Sequence, residues 1–414
     1  MAAWLEWRRP TRGCRHGVVR PLLGLLLCVL FPCVAARAQT PEQGAETGSE
    51  PLPDRIQRAA RSISDTLERL RLYPHVTSLA TGGGAAPGFA YFDPAAGLGR
   101  VGLYGGLSHS VRGDSLYELR LGRMPHEPGR APRRRLGFEW MPHFVTDPGP
   151  GDRFFFYGQA RLLDLGAGRY LQGYSDPLRQ ESFDLVAGYR LAPGLAVQAR
   201  AGVLGVSPGT GAQALERVFA ASLDSPGLAW KRDYLRLTSE LAWDTRIQPR
   251  HTQGGSFVSL RLESYQGLSG APGFDRVALD ARRFLPLGTP RHILALRAVG
   301  SYARTGGVPV PYYLQGSLGG GSLLRSFPEH RFSGDTLYAL SAEYRFQALG
   351  WLQLAAFFDG GAASGGFTAL NSGGFRTSQG VGVRLTTPSS VLFRFDVARG
   401  DEGTRFNAKI GYSF

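Results

Sequence analysis

From Gly88 to Phe414 the chain alternates apolar and polar residues with a period of two, in segment after segment. In the last segment Phe406, Ala408, Ile410, Tyr412 and Phe414 point one way, and Arg405, Asn407, Lys409, Gly411 and Ser413 the other. Before it, Val391, Phe393, Phe395 and Val397 oppose Leu392, Arg394, Asp396 and Ala398. Tyr338, Leu340, Ala342, Tyr344 and Phe346 oppose Ser341, Glu343 and Arg345; Leu235, Leu237, Leu241 and Trp243 oppose Arg236, Thr238, Glu240 and Asp244. This period belongs to β-strands. A soluble sandwich buries its apolar face and wets its polar one. Here charges repeat on one face of nearly every strand, so that face is wet, and the other face is rich in Leu, Phe and Tyr. The pattern predicts an all-β fold, a transmembrane antiparallel β-barrel with lipid outside and water within. No apolar run after Gly88 is long enough for a membrane-spanning helix.

Sixteen candidate strands begin near Gly88, Val101, Ser115, Arg134, Phe154, Glu181, Leu195, Asp233, Gly255, Phe274, Arg291, Asp335, Trp351, Phe375, Val391 and Thr404. Connections after even strands are short, as at Ala192-Pro193-Gly194, 347–350 and 387–390; after odd strands they are often long, as at 205–232, 303–334 and 360–374. Short periplasmic turns and long outer loops are the asymmetry of such barrels. Upstream, Ile56, Ala60, Ile63, Leu67 and Leu70 recur every three or four residues. They predict one short amphipathic periplasmic helix, ended near Tyr73-Pro74, serving as a cap or as a plug.

The first 38 residues read as an export signal. Arg8, Arg9, Arg12, Arg15 and Arg20 form a basic start, Leu22 to Val34 is a short apolar run, and Ala36-Arg37-Ala38 is a small-x-small cleavage site. Leu27 and Pro32 precede Cys28 and Cys33 where a lipid-attachment signal requires a small residue. The expected organisation is therefore signal peptide 1–38, polar linker with the helix 39–86, and barrel 87–414. Cys14, Cys28 and Cys33 all lie in the signal, so the mature chain has no thiol, which suits an oxidising compartment. The net charge is +14, of which +5 belongs to the signal. Only Lys231 and Lys409 are lysines, so the basicity is almost all arginine, suited to lipid phosphates. The arginines are scattered along strands of an exported chain, so nucleic acid is the weaker reading and is not an expected partner. The expected location is the bacterial outer membrane, with its lipid as a partner.

The longest connection carries Gly319-Gly320-Gly321-Ser322-Leu323-Leu324-Arg325-Ser326-Phe327. Large apolar residues beside an arginine suit a loop folded into the barrel lumen. The arginine then needs a carboxylate, because a buried charge stripped of its partner costs roughly 3–5 kcal/mol. Asp359 follows Leu354, Ala356 and Phe358, which share one apolar face, so Asp359 falls on the luminal face.

These residues resemble the BamA/TamA superfamily of outer-membrane assembly and secretion barrels. The family's sixth outer loop carries Arg-Gly-Phe/Tyr, similar to Arg325-Ser326-Phe327 here, and its thirteenth strand carries Phe-x-Asp-x-Gly, similar to Phe357-Phe358-Asp359-Gly360-Gly361. Glu343-Tyr344-Arg345 resembles the twelfth strand, and Gly380 to Arg384 and Arg394 to Ala398 the two that follow. Gly411 stands where a glycine kinks the family's last strand, and Phe406, Ile410, Tyr412 and Phe414 complete that strand's signal. The resemblance covers about the last hundred residues, with Trp243-Asp244-Thr245-Arg246 a weaker match upstream. It implies sixteen strands, a latch of Arg325, Ser326, Phe327, Phe357, Asp359 and Gly361, and luminal charges at Glu343, Arg345, Arg384, Arg394 and Asp396. Two positions depart from the family. Ser326 replaces a glycine, a cost of about 1 kcal/mol or more if φ there is positive. The 48 residues from Gln39 to Ala86 hold one helix and leave no room for a POTRA domain.

The resemblance implies a role in inserting or translocating proteins, or lipids, with client outer-membrane proteins or periplasmic factors as partners. The alternative is a porin-like channel or binding barrel. The latch pins the loop and thereby sets how readily the barrel opens. Gly88 to Phe92, among Gly82, Gly83, Gly84 and Pro87, reads as a weak first strand: either a seam that opens into lipid or a short strand braced from inside. Gly113-Asp114-Ser115-Leu116 spells a lipase-like nucleophile motif, yet no local pattern supplies its histidine, and catalysis is not expected. The histidines show no metal-ligand spacing, and no residue pattern requires a cofactor.

Overall fold

The computed structural model describes residues 70–77, 79, 86–93, 101–110, 113–124, 153–171, 174–208, 232–247, 252–268, 270–365, 374–387 and 390–410. Its strands are β1 (Leu72–Thr77), β2 (Ala86–Asp93), β3 (Gly102–His109), β4 (Ser115–Arg123), β5 (Phe154–Leu171), β6 (Tyr174–Ala192), β7 (Leu195–Pro208), β8 (Arg232–Asp244), β9 (Gly255–Leu268), β10 (Phe274–Leu287), β11 (Thr289–Thr305), β12 (Gly316–Leu318), β13 (Phe332–Gly334), β14 (Thr336–Leu349), β15 (Leu352–Ser364), β16 (Arg376–Thr387), β17 (Ser390–Gly400) and β18 (Gly403–Ile410). Sixteen of them form one sheet in chain order, and β12 and β13 pair as a small separate hairpin between β11 and β14. Every recorded ladder is antiparallel. Among the described residues no ladder joins β1 to β18.

Alternation sorts the side chains into two faces. Leu237, Leu241, Trp243, Leu340, Tyr344, Phe358, Phe395 and Phe406 are exposed, while Arg236, Glu240, Asp244, Ser341, Glu343, Asp359 and Asp396 are buried. That is the inverse of a water-soluble sheet, and such a continuous apolar exterior needs lipid to cover it. The buried face is wrapped around the connection between β11 and β14. Val310 and Tyr313 of that connection join a cluster with Leu165, Leu178, Leu204, Val206, Tyr234, Tyr265 and Phe274 on β5 to β10. Further along, the same connection joins Leu318, Leu323, Leu324 and Phe327 to Leu337 and Ala339 on β14. One segment touching both halves of the sheet means that the sheet curls around it.

The structure corrects several expectations. The strand foreseen near Arg134 lies outside the described residues, and β4 pairs directly with β5. The sheet instead begins upstream, with Leu72–Thr77 paired to Ala86–Asp93. Pro74 had suggested a helix end; proline is equally suited to an outermost strand, where its missing donor is not needed. The segment Gly88–Phe92 is therefore flanked on both sides and is not the outermost strand. Val391 is buried and Leu392 exposed, the reverse of the simple alternation, because the β16–β17 ladder slips register there. The amphipathic helix foreseen before Tyr73 and the residues Gly411, Tyr412 and Phe414 lie outside the described residues.

Leu237 is 40% exposed near the middle of β8. Placing an arginine there, Leu237→Arg, is expected to lower stability in lipid vesicles by roughly 2–4 kcal/mol, the cost of a cation near a bilayer midplane. Urea unfolding in vesicles measures it, and an unchanged midpoint would mean that this face does not meet lipid.

Candidate functional site

The site is built on the connection between β11 and β14. After the hairpin strand β12, Gly319 and Gly320 adopt positive φ of 115° and 83° and turn the chain inward. Leu324 is the strained position, with φ of 53°, and Ser326 is not among the positive-φ residues. The glycine-to-serine difference therefore carries no left-handed strain. Its consequence is steric: a Cβ on Gly400 would lie against the Ser326 hydroxyl, so the glycine on β17 makes room for the serine. The Ser326 amide donates to Ser378 Oγ at 2.8 Å. Phe327 is fully buried and meets Phe332 edge-on at 5.0 Å between centroids.

Arg325 is 0% exposed, as are Glu343 and Asp359. Its Nε and Nη2 donate to Asp359 Oδ2 and Oδ1, each at 2.9 Å, and its backbone N–H reaches Oδ2 at 3.2 Å. This is the bidentate fork that arginine makes best. Nη1 donates to Glu343 Oε2 at 2.6 Å. Ser341 Oγ steadies the carboxylate, donating to Asp359 Oδ1 at 2.6 Å. The guanidinium lies over the Phe357 ring, 3.4 Å from its centroid. Asn407 Nδ2 on β18 donates to the Arg325 carbonyl at 2.8 Å. Gly361 lies two residues beyond Asp359 on β15, where a Cβ would crowd Tyr338 O and Ala339 on β14.

The other charges named from sequence gather around this fork. Arg345 Nε donates to Glu343 Oε1 at 2.7 Å. Arg384 Nη2 approaches Glu343 Oε2 at 2.8 Å and Asp396 Oδ1 at 3.5 Å. Arg394 Nε stands 3.3 Å from Asp396 Oδ2, and its Nη2 donates to the Gly321 carbonyl. The Arg325 guanidinium is held above the ordinary arginine value: burial alone would lower it, and Glu343, Asp359 and Asp396 outweigh that. A folded pKa raised above the ordinary arginine value gives stability that is fully present at every lower pH and fades only in strong alkali. The arginine side of the latch thus contributes no pH dependence near neutrality.

Not every named residue belongs here. Phe406 is 78% exposed on the outer face, and Ile410 is the last described residue of β18. Ser341, Ser378 and Asn407 were not singled out from sequence; their only sequence signal is a polar side chain at an inward position. Asp244, the last residue of β8, and Arg246 form a second buried fork, with Nε to Oδ1 and Nη2 to Oδ2 both 2.9 Å. Ser115 of the lipase-like motif does have a histidine, His109 Nδ1 at 2.8 Å. The two are cross-strand neighbours at a hairpin end, and Asp114 is turned to Ser110 at 3.1 Å instead of orienting the imidazole.

A curled antiparallel sheet, apolar outside and charged within, whose β11–β14 connection is pinned inside by a buried arginine, defines a membrane β-barrel with an internal latch. The family model described as the Omp85 superfamily domain matches residues 184–414. The chain belongs to the Omp85 superfamily, and its fold is that of BamA-like outer-membrane β-barrels. The solved structure of BamA from Haemophilus ducreyi lacking POTRA domains 1-3 is similar with a TM-score of 0.59 at 13% identity, over 82% of this chain and 68% of that one. CdiB from Escherichia coli is similar with a TM-score of 0.50 at 12% identity, over 82% of this chain and 62% of that one. This chain thus spans less than two thirds of the CdiB chain. No curated protein sequence matches it significantly.

Removing one member of the fork leaves its partner buried without the bidentate bond. Arg325→Met and Asp359→Asn are each expected to destabilise by roughly 3–5 kcal/mol, and the double variant by clearly less than the sum. Unfolding of the four proteins in vesicles tests this; additive losses would mean that the pair is not coupled.

Proposed function

We propose that this protein is a sixteen-stranded outer-membrane barrel that helps insert or translocate proteins, or lipids, at the outer membrane. Residues 1–38 direct export, and the residues from 39 to the start of β1 supply a periplasmic linker with a short helix. Its partners are outer-membrane lipid and client outer-membrane proteins or periplasmic factors. The mechanism is mechanical and involves no bond chemistry. The seam lies between β1 and β18, which among the described residues each have one ladder partner, and the latched loop sets how readily that seam parts.

One observation carries the reading: the latched connection occupies the interior. It is fixed at Arg325 on one wall, and its Tyr313 packs among Leu165, Leu178, Leu204 and Tyr234 on the other. Arg276 Nη2 donates to the Leu314 carbonyl there, and the Val310 N–H donates to Asp335 Oδ1 at 3.1 Å. A loop tied to both walls obstructs a solute path along the axis, which weighs against a porin-like channel. The seam is then the remaining weak element. Membership of a superfamily that includes BamA and CdiB supports the same direction.

Depleting the protein in its native cell is expected to lower other outer-membrane barrels in the envelope fraction, read by quantitative proteomics. An unchanged envelope proteome would sink the assembly role. In planar bilayers the wild-type protein is expected to conduct little, and Tyr313→Ala to raise conductance by loosening the outer seal. A large steady pore that ignores both Tyr313→Ala and Arg325→Ala would favour the channel.

A further inference from the structure

Behind the latch, three cations stand in a row across the inner face. Arg384 and Arg394 are direct partners in the β16–β17 ladder, and Arg394 and Lys409 in the β17–β18 ladder. Like charges placed opposite one another are destabilising. Both arginines are 1% exposed, so bulk water does not screen them. Lys409 leans away towards Glu329 Oε2 at 3.7 Å. The arginine pair shares Asp396, at 3.5 Å from Arg384 and 3.3 Å from Arg394, and Arg325 also draws on it at 3.7 Å. These distances exceed the roughly 2.7–2.9 Å of a charge-assisted hydrogen bond. Glu343 is likewise divided among Arg325, Arg345 and Arg384.

The buried set holds Arg325, Arg345, Arg384 and Arg394 against Glu343, Asp359 and Asp396, an excess of one positive charge. The shortfall is local. Among the described residues, Nε and Nη1 of Arg384, Nε and Nη1 of Arg394 and both oxygens of Asp396 lack a hydrogen-bond partner, whereas Nη2 of Arg384 keeps its ion-pair contact with Glu343 Oε2 at 2.8 Å. Buried charged groups left in that state are costly, and structures supply them with a partner. Water can fill these hydrogen bonds but leaves the excess charge in place; a monovalent anion accepts from the arginines and offsets that charge.

We propose that a compact monovalent anion of the halide class, chloride in the cell, binds between the guanidinium groups of Arg384 and Arg394 on the inner face of β16 and β17. It neutralises a like-charge cross-strand pair beneath the latched loop, which touches the same pair through the Gly321 carbonyl. This goes beyond the assembly role and does not depend on it: a channel with this interior would hold the anion equally.

The test uses the full-length protein in detergent. Thermal unfolding is compared in sodium chloride, sodium bromide and sodium gluconate at equal ionic strength, gluconate being too bulky for the pair. The expected result is a higher Tm in both halides. Arg394→Gln is expected to weaken the apparent halide affinity roughly tenfold, the size of losing one charged hydrogen bond. Should that variant fail to fold, crystals of the wild-type protein soaked in bromide decide the matter. An anomalous peak in contact with both guanidinium groups supports the site. Equal Tm in the three salts, or bromide absent from the pair, overturns it and leaves water as the occupant.

Discussion

A fully buried guanidinium must find negative charge, and Arg325 finds it on three different strands. Asp359 on β15 grips it through the bidentate fork, Glu343 on β14 takes its third nitrogen, and Asp396 on β17 lies within ion-pair range. Each carboxylate projects inward only because its strand keeps register with its neighbours. A one-residue slip of β15 would carry Asp359 to the lipid face, where Phe358 now sits 49% exposed. The arginine therefore reports on, and reinforces, the register of the whole C-terminal third of the sheet. The same constraint gives the β11–β14 connection a single place to go. Leu324 accepts a positive φ, and Leu318, Leu323 and Phe327 pack against β14, because the arginine between them cannot be left in an apolar setting alone.

How far this was legible depends on whether a feature is local. The face of a strand residue follows from its neighbours two positions away, so Leu354, Ala356 and Phe358 suffice to put Asp359 inside. Height within a barrel does not follow from one strand. It depends on how adjacent strands are staggered, which is why Glu343 could be named as an inward charge but not as a direct partner of Arg325. Asn407 and Ser378 were illegible for the same reason, since an inward Asn or Ser has no signature until the register brings Asn407 to the Arg325 carbonyl and Ser378 to the Ser326 amide. Two readings failed on local chemistry. Pro74 serves a helix end and an outermost strand equally well, and β1 was missed on that account. Val391 was placed outside because a register slip leaves no mark in the period-two pattern.

Ser326 shows how a family position can change while the latch stays. The concern was φ, and the structure moves it: the unusual backbone angle belongs to Leu324, and Ser326 instead adds volume. Gly400 absorbs that volume on β17, where any side chain would collide with the serine. Neither residue is informative alone. Together they indicate that the loop and the inner wall of β17 are fitted to each other.

That fit bears on the edge of the sheet. Among the described residues β18 has a ladder only with β17, so half of its backbone hydrogen-bonding capacity lacks a strand. What it does have comes from inside. Asn407 holds the Arg325 carbonyl, Lys409 meets Glu329 at 3.7 Å, and Arg331 reaches Glu402 in the β17–β18 turn at 2.8 Å. Arg394 on β17 binds the Gly321 carbonyl. All four loop partners, Gly321, Arg325, Glu329 and Arg331, belong to one stretch of eleven residues, 321–331. The exposed ion pairs among these contacts are individually weak, but they are anchored to a segment that the buried fork makes rigid. The last hairpin is thus braced by the loop where a neighbouring strand would otherwise hold it. The buried fork and the contacts that brace the terminal hairpin therefore share one loop segment, and on the proposed function the withdrawal of Arg325 from Asp359 couples the latch to the freedom of the terminal strand.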